Sequence, residues 1–194
     1  MIRDKPLHNF LFEFNEHGLY DNLESFCTPW IDMCVLLTLI KRFKPKSFLE
    51  IGTHKGYTTR NIKRKYPYLD ITTVDPGDKI PPLDRPQNQH TEYLPQEEIG
   101  CLLKDYPEIT IIKDCFENID FYGKQFDFIF IDGNHDYTHV INNTKHALKL
   151  IKSRGIIAWH DFNNVRSVND AVSTFAQLNV VTLHNTWIGY CEVV

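Results

Sequence analysis

The chain has 194 residues, 42% apolar and 24% charged, with a formal net charge of −4, a balance that fits one globular domain over 1–194, large enough to bury a sizeable core. The mild negative charge excludes a general polyanion-binding surface, and the short basic run Lys41–Lys46 suits the negative end of a helix dipole instead. Five cysteines without CxxC spacing speak against a disulfide framework or a zinc knuckle, and with no apolar signal core in Met1–Phe10 they point to a reducing, cytoplasmic setting.

In chain order, residues 1–28 mix polar and aromatic side chains without a clear period. A helix is predicted over 28–45, with Thr28 as its cap, Pro29 at its first position and Pro45 beyond its end, so that 1–45 form an N-terminal helical segment. Its greasy run Met33–Ile40 is too short to span a bilayer. The continuous apolar run 47–53 (SFLEIGT) reads as a buried strand. A helix follows over 57–66 and a second strand over 70–75. Residues 76–95 are proline-rich, and together with 96–108 they make a candidate lid, or else a plain surface insertion. Within that span 96–106 (QEEIGCLLKDY) reads as helix. Strands are expected over 109–114, 126–132 and 155–161, and helices over 137–153 and 167–178. The tail reads as two strands with a turn near Asn185.

Apolar strands alternating with helices indicate a parallel sheet with helices on both faces, and such sheets bind ligands beyond the carboxyl ends of their strands. Glu50, Asp75, Asp114, Asp132 and Asp161 all end a predicted strand or follow one. Five acids along one sheet edge are costly unless they bind a cation or accept hydrogen bonds from a ligand. Gly52 and Gly56 let backbone approach a ligand at the turn after the first buried strand, although a tight turn alone also explains them. The spacing is neither GxGxxG nor GxxxxGK[ST].

The stretch LEIGTHKGYT resembles the first motif of class I S-adenosylmethionine-dependent methyltransferases, in particular the small-molecule, metal-dependent O-methyltransferases of the catechol and macrolide-sugar types. The resemblance covers roughly 26–194. It implies a Rossmann-like α/β fold, a mostly parallel seven-stranded sheet closed by a C-terminal antiparallel hairpin. It also implies S-adenosyl-L-methionine as cofactor, with Glu50, Gly52, Thr53 and Gly56 at its methionine end, Asp75 on the ribose hydroxyls and Asp114 near the adenine. Asp132 would stand between cofactor and chemistry.

The chemistry falls in FDFIFIDGNHDYTHV and AWHDF. Neighbouring parallel strands lie about 4.8 Å apart, so Asp132 and Asp161 can share one divalent cation; Mg²⁺ suits hard oxygen ligands, with Mn²⁺ or Ca²⁺ as alternatives. In the resembled enzymes the strand-end acid binds metal and a base three residues on removes a hydroxyl proton. His135 matches the histidine form of that base, an imidazole titrating near neutrality. The catechol type follows its second acid with asparagine, whereas Phe162 stands here and Asn163 comes one residue late. The third ligand is therefore Asn163, His160, His54, Asp136 or water. Both acids could also serve as helix caps, and His160 could simply be packed. The acceptor implied is a hydroxylated small molecule, with Tyr93, Phe10, Phe12, Phe14, Tyr20 and Trp30 available to stack on a ring.

Two rival functions remain. The string GNHD also occurs in metallophosphoesterases, but no D-x-H precedes it. A cofactor-binding domain without catalysis would need no base, and the retained DxxH pattern argues against it. Nucleic-acid methylation is disfavoured by the acidic balance and the lack of a basic stripe.

Overall fold

The computed structural model describes residues 3–7, 11, 19–24, 28–80 and 92–194. Phe10, Phe12, Phe14 and most of the proline-rich stretch lie outside the described residues. The elements in order are strand β1 (Arg3–Lys5), helix α1 (Trp30–Phe43), β2 (Ser47–Ile51), α2 (Tyr57–Lys65), β3 (Asp70–Val74), β4 (Thr110–Ile112), β5 (Phe126–Ile131), α3 (Tyr137–Leu150), β6 (Ile151–Trp159), α4 (Arg166–Ser173), β7 (Val181–Leu183) and β8 (Gly189–Glu192). They form one eight-stranded sheet in the order β1-β7-β8-β6-β5-β2-β3-β4. Strands β2 to β6 pair in parallel, and β8 runs antiparallel to both β6 and β7.

Period-two alternation along the strands divides the core. Phe48, Phe128, Phe130, Ile156 and Ala158 pack with Leu36, Leu39 and Ile40 of α1 and Ile62 of α2. Leu49, Ile51, Ile129, Ile131, Ile157 and Trp159 pack on the other face with Val140 and Ala147 of α3 and Val168 and Val172 of α4. This is the Rossmann-like, helix-covered sheet expected from the sequence, with its C-terminal antiparallel hairpin.

Four local expectations are corrected. The N-terminal segment is not wholly helical, because Arg3–Lys5 pair in parallel with Val181–Leu183 and add an eighth strand. Thr28 does not cap α1: the N-cap is Pro29, and the Thr28 hydroxyl instead shares a 2.9 Å hydrogen bond with Thr58. Residues 96–106 form turns and a short 3₁₀ segment, Cys101–Leu103. Gly100 adopts φ +66, and the N–H groups of Gly100 and Leu102 donate to the carbonyls of His54 and Lys55 at 2.8 and 3.1 Å. The segment thus docks on the β2–α2 turn, which competes with a helix of its own. Finally, α3 stops at Leu150, since Ile151 already pairs with Phe126 as the start of β6. Among the described residues no helix is long and apolar enough to cross a membrane, and Cys34, Cys101, Cys115 and Cys191 carry free thiols.

Candidate active site

The chain runs outward from β2 to β3 and β4 on one side and from β5 to β6 on the other, so the strand order reverses between β2 and β5. Ligands of open α/β sheets sit above such a reversal. The ladder continues one residue past the strands. Gly52 N–H donates to Val74 O at 2.8 Å, Asp132 N–H to Ile51 O at 2.8 Å, His160 N–H to Ile131 O at 3.0 Å and Asp75 N–H to Ile112 O at 3.0 Å. Those four residues therefore stand side by side along the carboxyl edge. A cavity of about 600 Å³ opens above them.

The glycines are required by close packing at this edge. Gly52 has φ +105, and a Cβ there would lie 2.1 Å from the Asp132 carbonyl oxygen. Gly56 has φ +94 and starts α2, and its Cβ would meet Leu103 at 2.6 Å. Thr53 lines the cavity and bonds Thr73 through its hydroxyl at 2.6 Å. Asp75 also lines the cavity and accepts the N–H groups of His54 and Gly77 at 2.7 and 2.8 Å.

Two expected cofactor residues do not line the cavity. Glu50 is buried beneath it and accepts the hydroxyls of Thr59 and Thr73. Burial pushes its pKa up to about 8, with the Thr59 and Thr73 hydroxyls opposing and the charges of Asp132 and Asp75 adding to the rise. Asp114 accepts the Cys115 N–H at 2.8 Å and faces Lys79 at 3.7 Å, while Cys115 and Phe116 take the cavity wall.

The catalytic candidates do converge. One oxygen or nitrogen atom each of Asp132, His135 and Asp161 falls within 4.8 Å of the others. His135 Nε2 lies 2.8 Å from Asp161 Oδ2. His160 Nδ1 lies 3.0 Å from Asp132 Oδ1 and 3.0 Å from Asp161 Oδ2, and its Nε2 lies 3.3 Å from Asp32 Oδ2. His160 is thus both packed and polar. Burial works against its charged form, but the charge of Asp132 and the hydrogen bonds to Asp132, Asp161 and Asp32 outweigh it and hold its pKa well above the usual histidine range. Asp161 is pulled far below the usual carboxylate range: burial opposes this, and the close rings of His135 and His160 with the amide of Asn164 overcome it. Three carboxylates around one imidazolium leave the cluster net negative, a setting that favours cations.

Asn163, expected among the metal ligands, is exposed and absent from the cavity wall. Asp161 and Asn163 both have positive φ, +56 and +72, so the chain turns sharply after β6. Phe162 is buried in that turn, and Asn164 instead reaches the cavity, donating to Asp161 Oδ1 at 2.7 Å. His54 lines the cavity 3.0 Å from Glu92. Asp136 is the N-cap of α3 and does not line it. Tyr93 lines it and accepts a 3.1 Å hydrogen bond from Asn134, whereas Tyr20 and Trp30 pack edge to face elsewhere, 6.3 Å between ring centres.

Sequence reading also missed Trp187, Asn134, His139 and Asn143 among the cavity residues. Trp187 comes from the loop before β8, and Asn134 from the turn after β5. His139 and Asn143 stand four apart on α3, and that helical spacing was the available signal. His139 Nδ1 is buried without a hydrogen-bond partner, and the Asn143 side chain has none among the described residues.

A family model described as a methyltransferase domain matches residues 49–162, the span from β2 to the turn after Asp161. No curated protein matches the chain. Among solved structures, the chain is similar to the O-methyltransferase from Bacillus cereus in complex with SAH (17% identity, 95% of this chain and 90% of that one, TM-score 0.60). It is similar to an SAH-bound methyltransferase of Podospora anserina (15% identity, 97% and 87%, TM-score 0.64). It is also similar to the O-methyltransferase TomG of Streptomyces achromogenes, involved in tomaymycin synthesis and solved with SAM (13% identity, 97% and 95%, TM-score 0.60). At these identities the likeness is one of fold.

Proposed function

The chain belongs to the methyltransferase domain family, and from that premise we propose that it moves a methyl group from S-adenosylmethionine to a hydroxyl oxygen of a small molecule. The observation that carries this reading is the Asp132–His135–Asp161 cluster, set beside the Gly52 turn at the reversal of strand order. The cofactor's methionine end would lie over Gly52 and Thr53, its ribose on Asp75 and its base beside Cys115 and Phe116. Asn143, on the cavity wall, would offer its amide to the cofactor.

Hard oxygen donors on a net negative cluster fit a divalent cation, and Asp132 and Asp161 would hold it, Mg²⁺ being the best match. Bound there, it would acidify and orient the acceptor hydroxyl. His135 takes the hydroxyl proton as oxygen attacks the methyl carbon. Bound S-adenosylmethionine would supply the methyl group from its sulfonium, whose carbon–sulfur bond would break with the electron pair left on sulfur as a neutral thioether. The Asp161 carboxylate, 2.8 Å from Nε2, stabilises the imidazolium that results, much as an acid does beside a catalytic histidine. Trp187, Tyr93 and Asn134 would give the acceptor a wall of two aromatic rings and an amide.

The test is transfer of labelled methyl from S-adenosylmethionine to a panel of hydroxylated small molecules, with Mg²⁺ and with EDTA. Metal-dependent labelling of oxygen supports the reading. Absence of any calorimetric heat or thermal shift with millimolar SAH would sink it.

A further inference from the structure

Asp32 stands in the first turn of α1, far in sequence from every motif of the site, and is completely buried at 0% exposure. A buried carboxylate must find donors, and Asp32 finds two. Its Oδ2 faces His160 Nε2 at 3.3 Å, and its Oδ1 accepts the backbone N–H of Trp187 at 3.0 Å. The opposite ring nitrogen, Nδ1, faces Asp132 and Asp161 at 3.0 Å each. One imidazole therefore joins an acid beneath the cavity to the two acids at its lip.

The orientation of that ring decides whether the lip acids have a partner between them. Rotating His160 by half a turn about its outer torsion puts carbon where Nδ1 was, and both contacts are lost. Asp32 opposes the rotation, because the same half turn removes its own hydrogen bond from a site without water access. A carboxylate on the far nitrogen is the usual device for aiming a histidine at charged or metal-binding groups.

We propose that Asp32 is a positioning residue: by holding His160 through Nε2 it aims Nδ1 between Asp132 and Asp161 and fixes the spacing of those two carboxylates. The inference rests on the reading above, in which the two acids hold a divalent cation. The same carboxylate anchors the Trp187 backbone, so it also ties the acceptor wall to the floor of the site.

The test uses the whole chain labelled with ¹⁵N-histidine, with Mn²⁺ as the probe ion and SAH as a control ligand. In the unmodified protein the Nε2–H group of His160, held by Asp32, is expected as a slowly exchanging resonance, identified by its loss in His160→Gln. Asp32→Asn is nearly isosteric, but its amide offers an N–H₂ group to one of the two donors. The Nε2–H resonance should lose its protection, and Mn²⁺ affinity, read from the paramagnetic resonance of the free ion, should fall roughly 10- to 100-fold. SAH affinity by calorimetry should hold. A folded Asp32→Asn protein with unchanged His160 resonances, or with unchanged Mn²⁺ affinity, overturns the inference. Should Asp32→Asn fail to fold, His160→Gln carries the same expectation for Mn²⁺ and the same power to refute. If the unmodified protein binds SAH but no Mn²⁺, the cation reading falls, and the His160 resonances alone decide the positioning role.

Discussion

Replacing Glu50 with Gln separates the burial of a charge from the architecture around it. Burial pushes the Glu50 pKa in the folded protein up to about 8, from an ordinary 4.5. Between those values the unfolded chain releases a proton that the folded chain retains, so stability falls as pH rises. At roughly 1.4 kcal/mol per pH unit the loss approaches about 5 kcal/mol by pH 8, a ceiling for a fully buried group. Below pH 4.5 both states are protonated and the contribution vanishes. Gln keeps an oxygen for the hydroxyls of Thr59 and Thr73 and has no proton to release. Urea unfolding of both proteins should therefore give matching stabilities near pH 4.5, with the Glu50→Gln protein pulling ahead steadily towards pH 8. Groups such as His160 titrate in both proteins and cancel in the difference. Parallel curves across that window would refute the argument, as would a Glu50→Gln protein that is weaker at pH 8.

Three further outcomes are expected. His135→Ala should slow turnover on the order of 10²- to 10⁴-fold with SAH affinity intact; near-normal turnover with a lowered melting temperature would remove it from the mechanism. Asp132→Ala and Asp161→Ala should each abolish divalent-ion dependence and most turnover, and full activity of the unmodified protein in EDTA would contradict this. Gly52→Ala, whose Cβ would meet Asp132 O at 2.1 Å with φ at +105, should cost about 3 kcal/mol through overpacking and backbone strain. That lowers the melting temperature by about 6–12 °C, and a change too small to measure in thermal unfolding would show that the turn can relax.

Much of the sheet is legible in the sequence because its central strands are buried on both faces. Phe48–Ile51 and Phe126–Ile131 read as largely apolar runs, each interrupted by one acid, Glu50 and Asp127, and Gly52 and Asp132, the residues that follow them, fall on the carboxyl edge. What the sequence hides is set by partners far along the chain. Residues 96–106 have a helix-forming composition, yet Gly100 turns left-handed, and its N–H and that of Leu102 are spent on the carbonyls of His54 and Lys55. Asn163 and Asn164 are adjacent in sequence, and only the positive φ angles at Asp161 and Asn163 decide which one meets Asp161. Asp32 looks like any acid in the first turn of a helix, where the dipole favours it. Its role depends on His160, which no local pattern connects to it.

The placement of β8 has a consequence for synthesis. Among the described strands β8 comes last in chain order, yet it lies inside the sheet between β6 and β7, and β1, which comes first, lies beyond both. A nascent chain that has already formed β2 to β6 presents β6 as an open edge. It must wait for Gly189–Glu192 to leave the ribosome before that edge is covered, and Arg3–Lys5 has no strand to join until β7 is docked. An open apolar edge is a template for pairing with other chains, so a chain arrested between β6 and β8 is expected to be prone to association.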